Sequence, residues 1–205
     1  MNYNISIIIA HYFSGFSNKD NPLYKTLKII EEQKSNFNIE IIIADDGSTY
    51  SNDIVNNYSI KNNINNDLRN IYLLQDDKLN SFLIKHDFTS NLIKKWVYLP
   101  KIIKCMSKAR VVNYATKISQ SDKLLFLDDD NYFISEHSIK NLLLLFKEYQ
   151  LIIGQVKDNS GRLRSYNSHR IQGTTIGIEK NILNNINGFG EWTEEFSCGV
   201  DSDLW

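Results

Sequence analysis

Ile39-Glu40-Ile41-Ile42-Ile43-Ala44-Asp45-Asp46-Gly47-Ser48 is the stretch on which the fold turns. Ile39–Ala44 is β-branched and nearly all apolar, the mark of a strand covered on both faces, and it stops at an acidic turn. Upstream, Leu23, Leu27 and Ile30 recur at helical spacing over Leu23–Gln33, opened by Pro22. Before that helix, Ile5-Ser6-Ile7-Ile8-Ile9-Ala10 is another buried strand. Strand, helix and strand within about 40 residues make a βαβ unit, which favours a parallel sheet.

Downstream, Ser51–Asn70 reads as a short helix and a loop, and Ile71–Leu74 as a third strand. Asp76–Trp96, with its Lys, Ser and Asn, reads as a long loop. Helical spacing returns over Lys101–Ser119, and Leu124–Leu127 is a short apolar strand running into Asp128-Asp129-Asp130-Asn131. A helix over His137–Tyr149, a strand over Leu151–Val156 and a turn at Asn159-Ser160-Gly161 follow. A strand over Thr174–Ile178 and a short helix over Asn181–Ile186 complete one α/β layer structure.

Composition narrows the function. Among 205 residues, 23 Lys+Arg face 24 Asp+Glu for a net charge of -1, which argues against a nucleic-acid partner. At 42% hydrophobic and 12% aromatic residues the chain can bury a core, so wholesale disorder is excluded. Cys105 and Cys198 lie too far apart for a CxxC clip and read as thiols of a reducing compartment. The apolar run Ile5–Ala10 falls well short of the roughly 20 residues of a membrane span. The expected location is therefore the cytoplasm or the cytoplasmic face of its membrane. His11, His86, His137 and His169 show no metal-ligand spacing and read as structural or surface residues.

Two predicted strands end in acids, Asp45-Asp46 and Asp128-Asp129-Asp130. Ligands of open α/β sheets sit beyond the carboxyl ends of the strands. Side chains alternate along an extended chain, so Asp128 and Asp130 are expected to point one way and Asp129 the other. Such a pair is a hard oxygen site suited to Mg²⁺ or Mn²⁺ carrying a diphosphate. Asp45-Asp46-Gly47-Ser48 is equally readable as an Asx turn or helix cap. A third acidic group, Gly199-Val200-Asp201-Ser202-Asp203-Leu204-Trp205, follows Glu191, Glu194 and Glu195, and on its own fits a solvated helix start.

Taken together, these segments resemble the family 2 glycosyltransferases, with some similarity to the β-1,4-galactosyltransferase-like branch. Ile7-Ile8-Ile9-Ala10-His11-Tyr12 is similar to the family's first strand, Ile41–Thr49 to its Asp-Asp-Gly-Ser turn, and Leu125–Asn131 to its metal-binding DxD strand. Ala109–Asn113 resembles the helix start before that strand. Gly173–Ile178 and Ile186-Asn187-Gly188-Phe189-Gly190-Glu191 resemble the segment before the catalytic acid motif, and Gly199–Trp205 the acidic element that carries the base. Ala10, His11 and Phe13 depart from the usual Pro, Thr/Ser and Asn, and Val200 from a common Glu.

The resemblance implies a GT-A (Rossmann-like) three-layer sandwich with a mostly parallel central sheet, one domain over 1–205. The part that completes the acceptor site is expected to be missing or shortened. It also implies inverting transfer of a hexosyl or N-acetylhexosaminyl group from a nucleoside-diphosphate sugar, UDP first, to a saccharide or glycan hydroxyl. Asp128 and Asp130 would bind Mn²⁺ or Mg²⁺, and Tyr12, Asp45, Asp46, Arg110 and Asp128 the nucleotide, with Lys104 or Lys108 as further cations. Asp201 would be the general base and Asp203 the second choice. A phosphatase of the haloacid dehalogenase type also places Asp-x-Asp after a buried strand, but wants Thr where this chain has Tyr132. A non-catalytic nucleotide-sugar-binding or assembly module of the same fold stays open.

Overall fold

The computed structural model describes residues 2–15, 18–34, 36–57, 61–62, 70–101, 108–163 and 175–196. Lys104, Cys105, His169, Cys198, Asp201 and Asp203 lie outside these residues. The strands are β1 (Ile5–His11), β2 (Ile39–Asp45), β3 (Lys61–Asn62), β4 (Ile71–Leu74), β5 (Ile93–Tyr98), β6 (Lys123–Asp128), β7 (Leu151–Ile153) and β8 (Thr175–Glu179). They form one sheet in the order β3-β4-β5-β2-β1-β6-β8-β7. The four central strands, β5, β2, β1 and β6, are parallel. The flanking strands join them antiparallel.

The helices are α1 (Pro22–Glu31), α2 (Asn52–Asn57), α3 (Asp76–Lys85), α4 (Lys108–Ile118), α5 (Ser138–Leu145) and α6 (Lys180–Asn185). Strand alternation sends Ile5, Ile7, Ile9, Ile41, Ile43, Leu125 and Leu127 into one core with Leu23, Leu27, Phe82, Ile139 and Leu143 of α1, α3 and α5. Ile8, Ile42, Ala44, Leu124 and Phe126 enter a second core with Ala109, Val112 and Ala115 of α4 and Leu183 of α6. Helices on both faces of a mostly parallel sheet give the three layers expected from the sequence. Among the described residues no helix is long and apolar enough to cross a membrane.

One expected loop is wrong. Asp76–Trp96 holds α3 and most of β5, a central parallel strand. Lys94-Lys95 breaks the apolar pattern of β5, yet Lys95 is buried because its ammonium pairs with buried Glu40. A buried ion pair is invisible to a hydropathy pattern.

Candidate active site

Register places the chemistry. His11 of β1 lies opposite Asp45 of β2, and Ala10 of β1 opposite Asp128 of β6. The acidic ends of β2 and β6 and the His11 end of β1 between them therefore share the carboxyl edge of the sheet.

Asp45 is fully buried. Its Oδ1 accepts from the Ser48 N–H at 2.8 Å, and its Oδ2 from Ser51 Oγ at 2.5 Å and Trp96 Nε1 at 3.1 Å. These bonds correct the expectation for Asp45: its carboxylate ties the turn to β5 and leaves no surface for a nucleotide. Asp46 follows, also buried, its N–H donating to the His11 carbonyl at 2.9 Å. Gly47 then adopts φ +90°, and a Cβ there would meet Lys101 Cβ at 2.5 Å, so only glycine lets the chain after β5 close over this turn. The Lys101 ammonium sits 3.8 Å from the centre of the Tyr12 ring, which is 46% exposed.

The three aspartates after β6 diverge. The strand stops at Asp128, and a turn closes with the Asn131 N–H on the Asp128 carbonyl at 3.1 Å, so extended alternation does not reach Asp130. Asp128 faces α4, its Oδ1 2.7 Å from Lys108 Nζ. Asp129 faces α1, its Oδ2 2.5 Å from His11 Nδ1. Asp130 is exposed and lines a cavity of about 850 Å³ with Asn131, Ser138, Asn141, Gln155 and Thr175 among its walls. The premise that put Asp128 and Asp130 on one side thus fails at the turn.

Arg110 also departs from expectation. It points toward Glu191, Nη1 to Oε2 3.7 Å, while Lys108 takes the place beside Asp128. Two positions on a helix are separated by roughly 200°, so Lys108 and Arg110 cannot both face the strand end.

Asn113 of α4 clamps the segment after α6. Its Nδ2 donates to the Phe189 carbonyl at 2.8 Å and its Oδ1 accepts the Phe189 N–H at 2.9 Å. Gly188, at φ +79°, passes so close that a Cβ would stand 2.5 Å from Asn113 Oδ1. Phe189 then packs edge-on against Phe126 of β6, ring centres 5.0 Å apart. This docks the two segments whose resemblance was noted separately, and starts the 3-10 turn Glu191–Phe196 beside α4.

Sequence reasoning passed over His11. It is 2% exposed, with Nε2 2.6 Å from Tyr50 Oη in addition to the Asp129 contact. The missed signal was alternation: His11 continues the Ile5, Ile7, Ile9 face, and Asp129 continues the Leu125, Leu127 face of the neighbouring strand. His86 is structural, its Nε2 3.2 Å from Asp53 Oδ2.

This architecture, with acids at the carboxyl ends of β2 and β6 on either side of His11 at the end of β1, is the GT-A fold. The mannosyltransferase PcManGT from Pyrobaculum calidifontis, solved with GDP-Man and Mn²⁺, superposes on all of this chain and 50% of its own at TM-score 0.59 and 13% identity. TarS 1-349 from S. aureus with UDP-GlcNAc matches 98% of this chain and 51% of its own at TM-score 0.60 and 16% identity. The chain thus spans about half the length of these glycosyltransferases. The 4-diphosphocytidyl-2C-methyl-D-erythritol synthase from Anaerococcus prevotii, at TM-score 0.51 and 17% identity, covers 98% of this chain and 80% of its own. No family model matches the sequence. One stretch of 142 residues, 66% of this chain, is 28% identical to 28% of the cysteine–tRNA ligase of Buchnera aphidicola subsp. Cinara cedri. That match covers too little of the longer protein to assign a family.

Proposed function

We propose that this chain is the nucleotide-sugar-binding domain of a metal-dependent glycosyltransferase that moves a hexosyl or N-acetylhexosaminyl group, with inversion, from a UDP-sugar to a saccharide hydroxyl. The observation that carries it is the acidic end of β6 set between β1 and α4 at the carboxyl edge of a GT-A sheet.

Asp130, exposed at the turn, offers the hard oxygen donors that suit Mn²⁺ or Mg²⁺, and Asp128, part-exposed on the α4 side beside Lys108, would meet the nucleotide from there and help the metal only through it. Among the described residues no three His, Cys, Asp or Glu side chains cluster as a metal site, so diphosphate oxygens would fill the remaining positions. A bound divalent ion supplies Lewis-acid stabilisation of the departing diphosphate. The chain's own residues do the rest. Lys108 adds positive charge on the α4 side, Tyr12 offers an exposed ring face to the base, and Asp46 accepts from the uracil imide. Asp201, with Asp203 as second choice, takes the proton of the acceptor hydroxyl as it attacks. Asp45 acts through the turn, not by touching nucleotide.

A second reading is a non-catalytic module of the same fold. The Lys108–Asp128 pair favours it, because a protein ammonium already neutralises the carboxylate where a metal would lie. A panel of nucleotide sugars, scored by thermal shift with and without Mn²⁺ and then by UDP release with saccharide acceptors, separates the two. Release of UDP that depends on acceptor and metal supports the enzyme. Donor binding indifferent to Mn²⁺, with no release on the longest natural form of the chain, supports the module.

A further inference from the structure

We propose that His11 is a positioning residue that, through Asp129, sets the turn presenting Asp128 and Asp130 to a metal–diphosphate. The proposal rests on the function above and adds a buried residue that itself touches no ligand. An ionised carboxylate only accepts, so the His11 Nδ1 2.5 Å from Asp129 Oδ2 carries a proton, and Nε2 on the other side of the ring lies 2.6 Å from the Tyr50 hydroxyl. Burial, reinforced by the Asp45 charge, pushes the Tyr50 phenol well above its ordinary value, which keeps it a donor. Tyr50 is itself held among the rings of Phe82, Phe88 and Trp96, at centre distances of 6.3, 6.2 and 6.1 Å. A hydrogen-bonded chain of Tyr50, His11 and Asp129 thus runs from the aromatic core to the acidic turn.

Other bonds fix the same residue. The Tyr12 N–H lies 3.3 Å from Asp129 Oδ2, the Asp129 N–H donates to the Ala10 carbonyl at 3.1 Å, and Thr26 Oγ1 donates to the Asp129 carbonyl at 2.6 Å. The middle carboxylate is therefore drawn to the α1 side with its charge answered by donors. Its neighbours are left for Lys108 and for the cavity edge. Three consecutive carboxylates repel one another unless compensated, and a diphosphate adds more negative charge. Without the His11 donor, a third carboxylate returns to the edge where the diphosphate must lie, and the turn loses its anchor.

The test separates the hydrogen bond from packing. His11→Asn keeps a side-chain N–H near the Nδ1 position, whereas His11→Leu keeps bulk and loses the donor. UDP affinity in excess Mn²⁺ is measured by calorimetry, with melting curves to confirm folding. His11→Asn should stay within about threefold of the wild type and His11→Leu should weaken by about tenfold, the low end of the span for outer-shell partners, because Asp129 neighbours the ligands and is not one of them. In the wild-type protein the ¹⁵N spectrum of His11 should show the proton on Nδ1, a readout that needs no variant to fold. Equal affinities of the Asn and Leu variants, or an Nδ1 without a proton, would overturn the proposal. If the wild type itself binds no UDP with Mn²⁺, the glycosyltransferase reading has failed and takes this one with it. Wild-type binding with indifferent variants fails this proposal alone.

Discussion

Glu40 and Asp128 are both acids on the α4 side of the sheet, one near the amino edge and one at the carboxyl edge, and each meets a lysine. Glu40 is wholly buried: Lys95 takes Oε1, while Ser6 Oγ at 2.6 Å and the Gln120 N–H at 2.9 Å take Oε2. Asp128 keeps 26% of its side chain in solvent beside a Lys108 that is itself 21% exposed. A carboxylate saturated by its own protein holds the fold, and one left open at a strand end can meet a ligand. Asp45 shows that sequence position does not decide which is which, since it lies at the carboxyl edge yet is saturated like Glu40.

The comparison is sharpest where the two ends are cut separately. Glu40→Gln leaves the Lys95 ammonium buried without its counter-charge and should cost about 3–5 kcal/mol of unfolding free energy. Urea unfolding checks this, and UDP affinity of the folded fraction should not move. Asp45→Ala strips the acceptor from Ser51 and the buried Trp96 indole and should cost about 2–3 kcal/mol in the same assay. A larger loss of nucleotide affinity than of stability would return Asp45 to the binding residues. Asp128→Asn breaks a part-exposed pair and should cost under about 1 kcal/mol. The same change should weaken Mn²⁺-dependent UDP binding by about tenfold or more, the reverse of the Glu40 pattern.

The smallest effect lies on α2, at the part-exposed pair of Asp53 and Lys85. A hydrogen bond from Lys85, aided by the charges of Lys85 and His86, holds the Asp53 carboxyl below its ordinary 3.8 against partial desolvation. The folded chain then binds fewer protons than the unfolded one in that window, so the pair's stabilisation is present above the ordinary value and fades as pH falls through the lowered one. Asp53→Asn should therefore cost well under about 1 kcal/mol at neutral pH, because the pair is partly solvated, and nothing once both states are protonated. Melting curves of wild type and variant that converge in acid would bear this out. A constant gap at all pH would show that the charge is not what matters.

Much of the layer structure was legible in the sequence because the central strands are buried on both faces. Ile5–Ala10, Ile39–Ala44 and Leu124–Leu127 carry nothing polar that burial forbids except Ser6 and Glu40, and the structure extends each by a residue or two. β5 was not legible, since Lys95 is tolerated only through Glu40 on the neighbouring strand. The acidic ends were found from the same pattern, but their individual directions were not. Alternation still carries Asp129 to the His11 side, but the turn that follows sends Asp130 to the cavity, and no periodicity extends through it.

The account stands most directly on whether the open carboxylates bind metal and diphosphate together. UDP titrated calorimetrically into the wild type and into Asp130→Ala, each with Mn²⁺ and again with EDTA, measures it. The expected result is binding by the wild type in Mn²⁺, about tenfold or more weakened by EDTA and by the substitution alike, with unchanged melting curves. Equal UDP affinity in Mn²⁺ and EDTA, or an Asp130→Ala variant that binds as the wild type does, would contradict it.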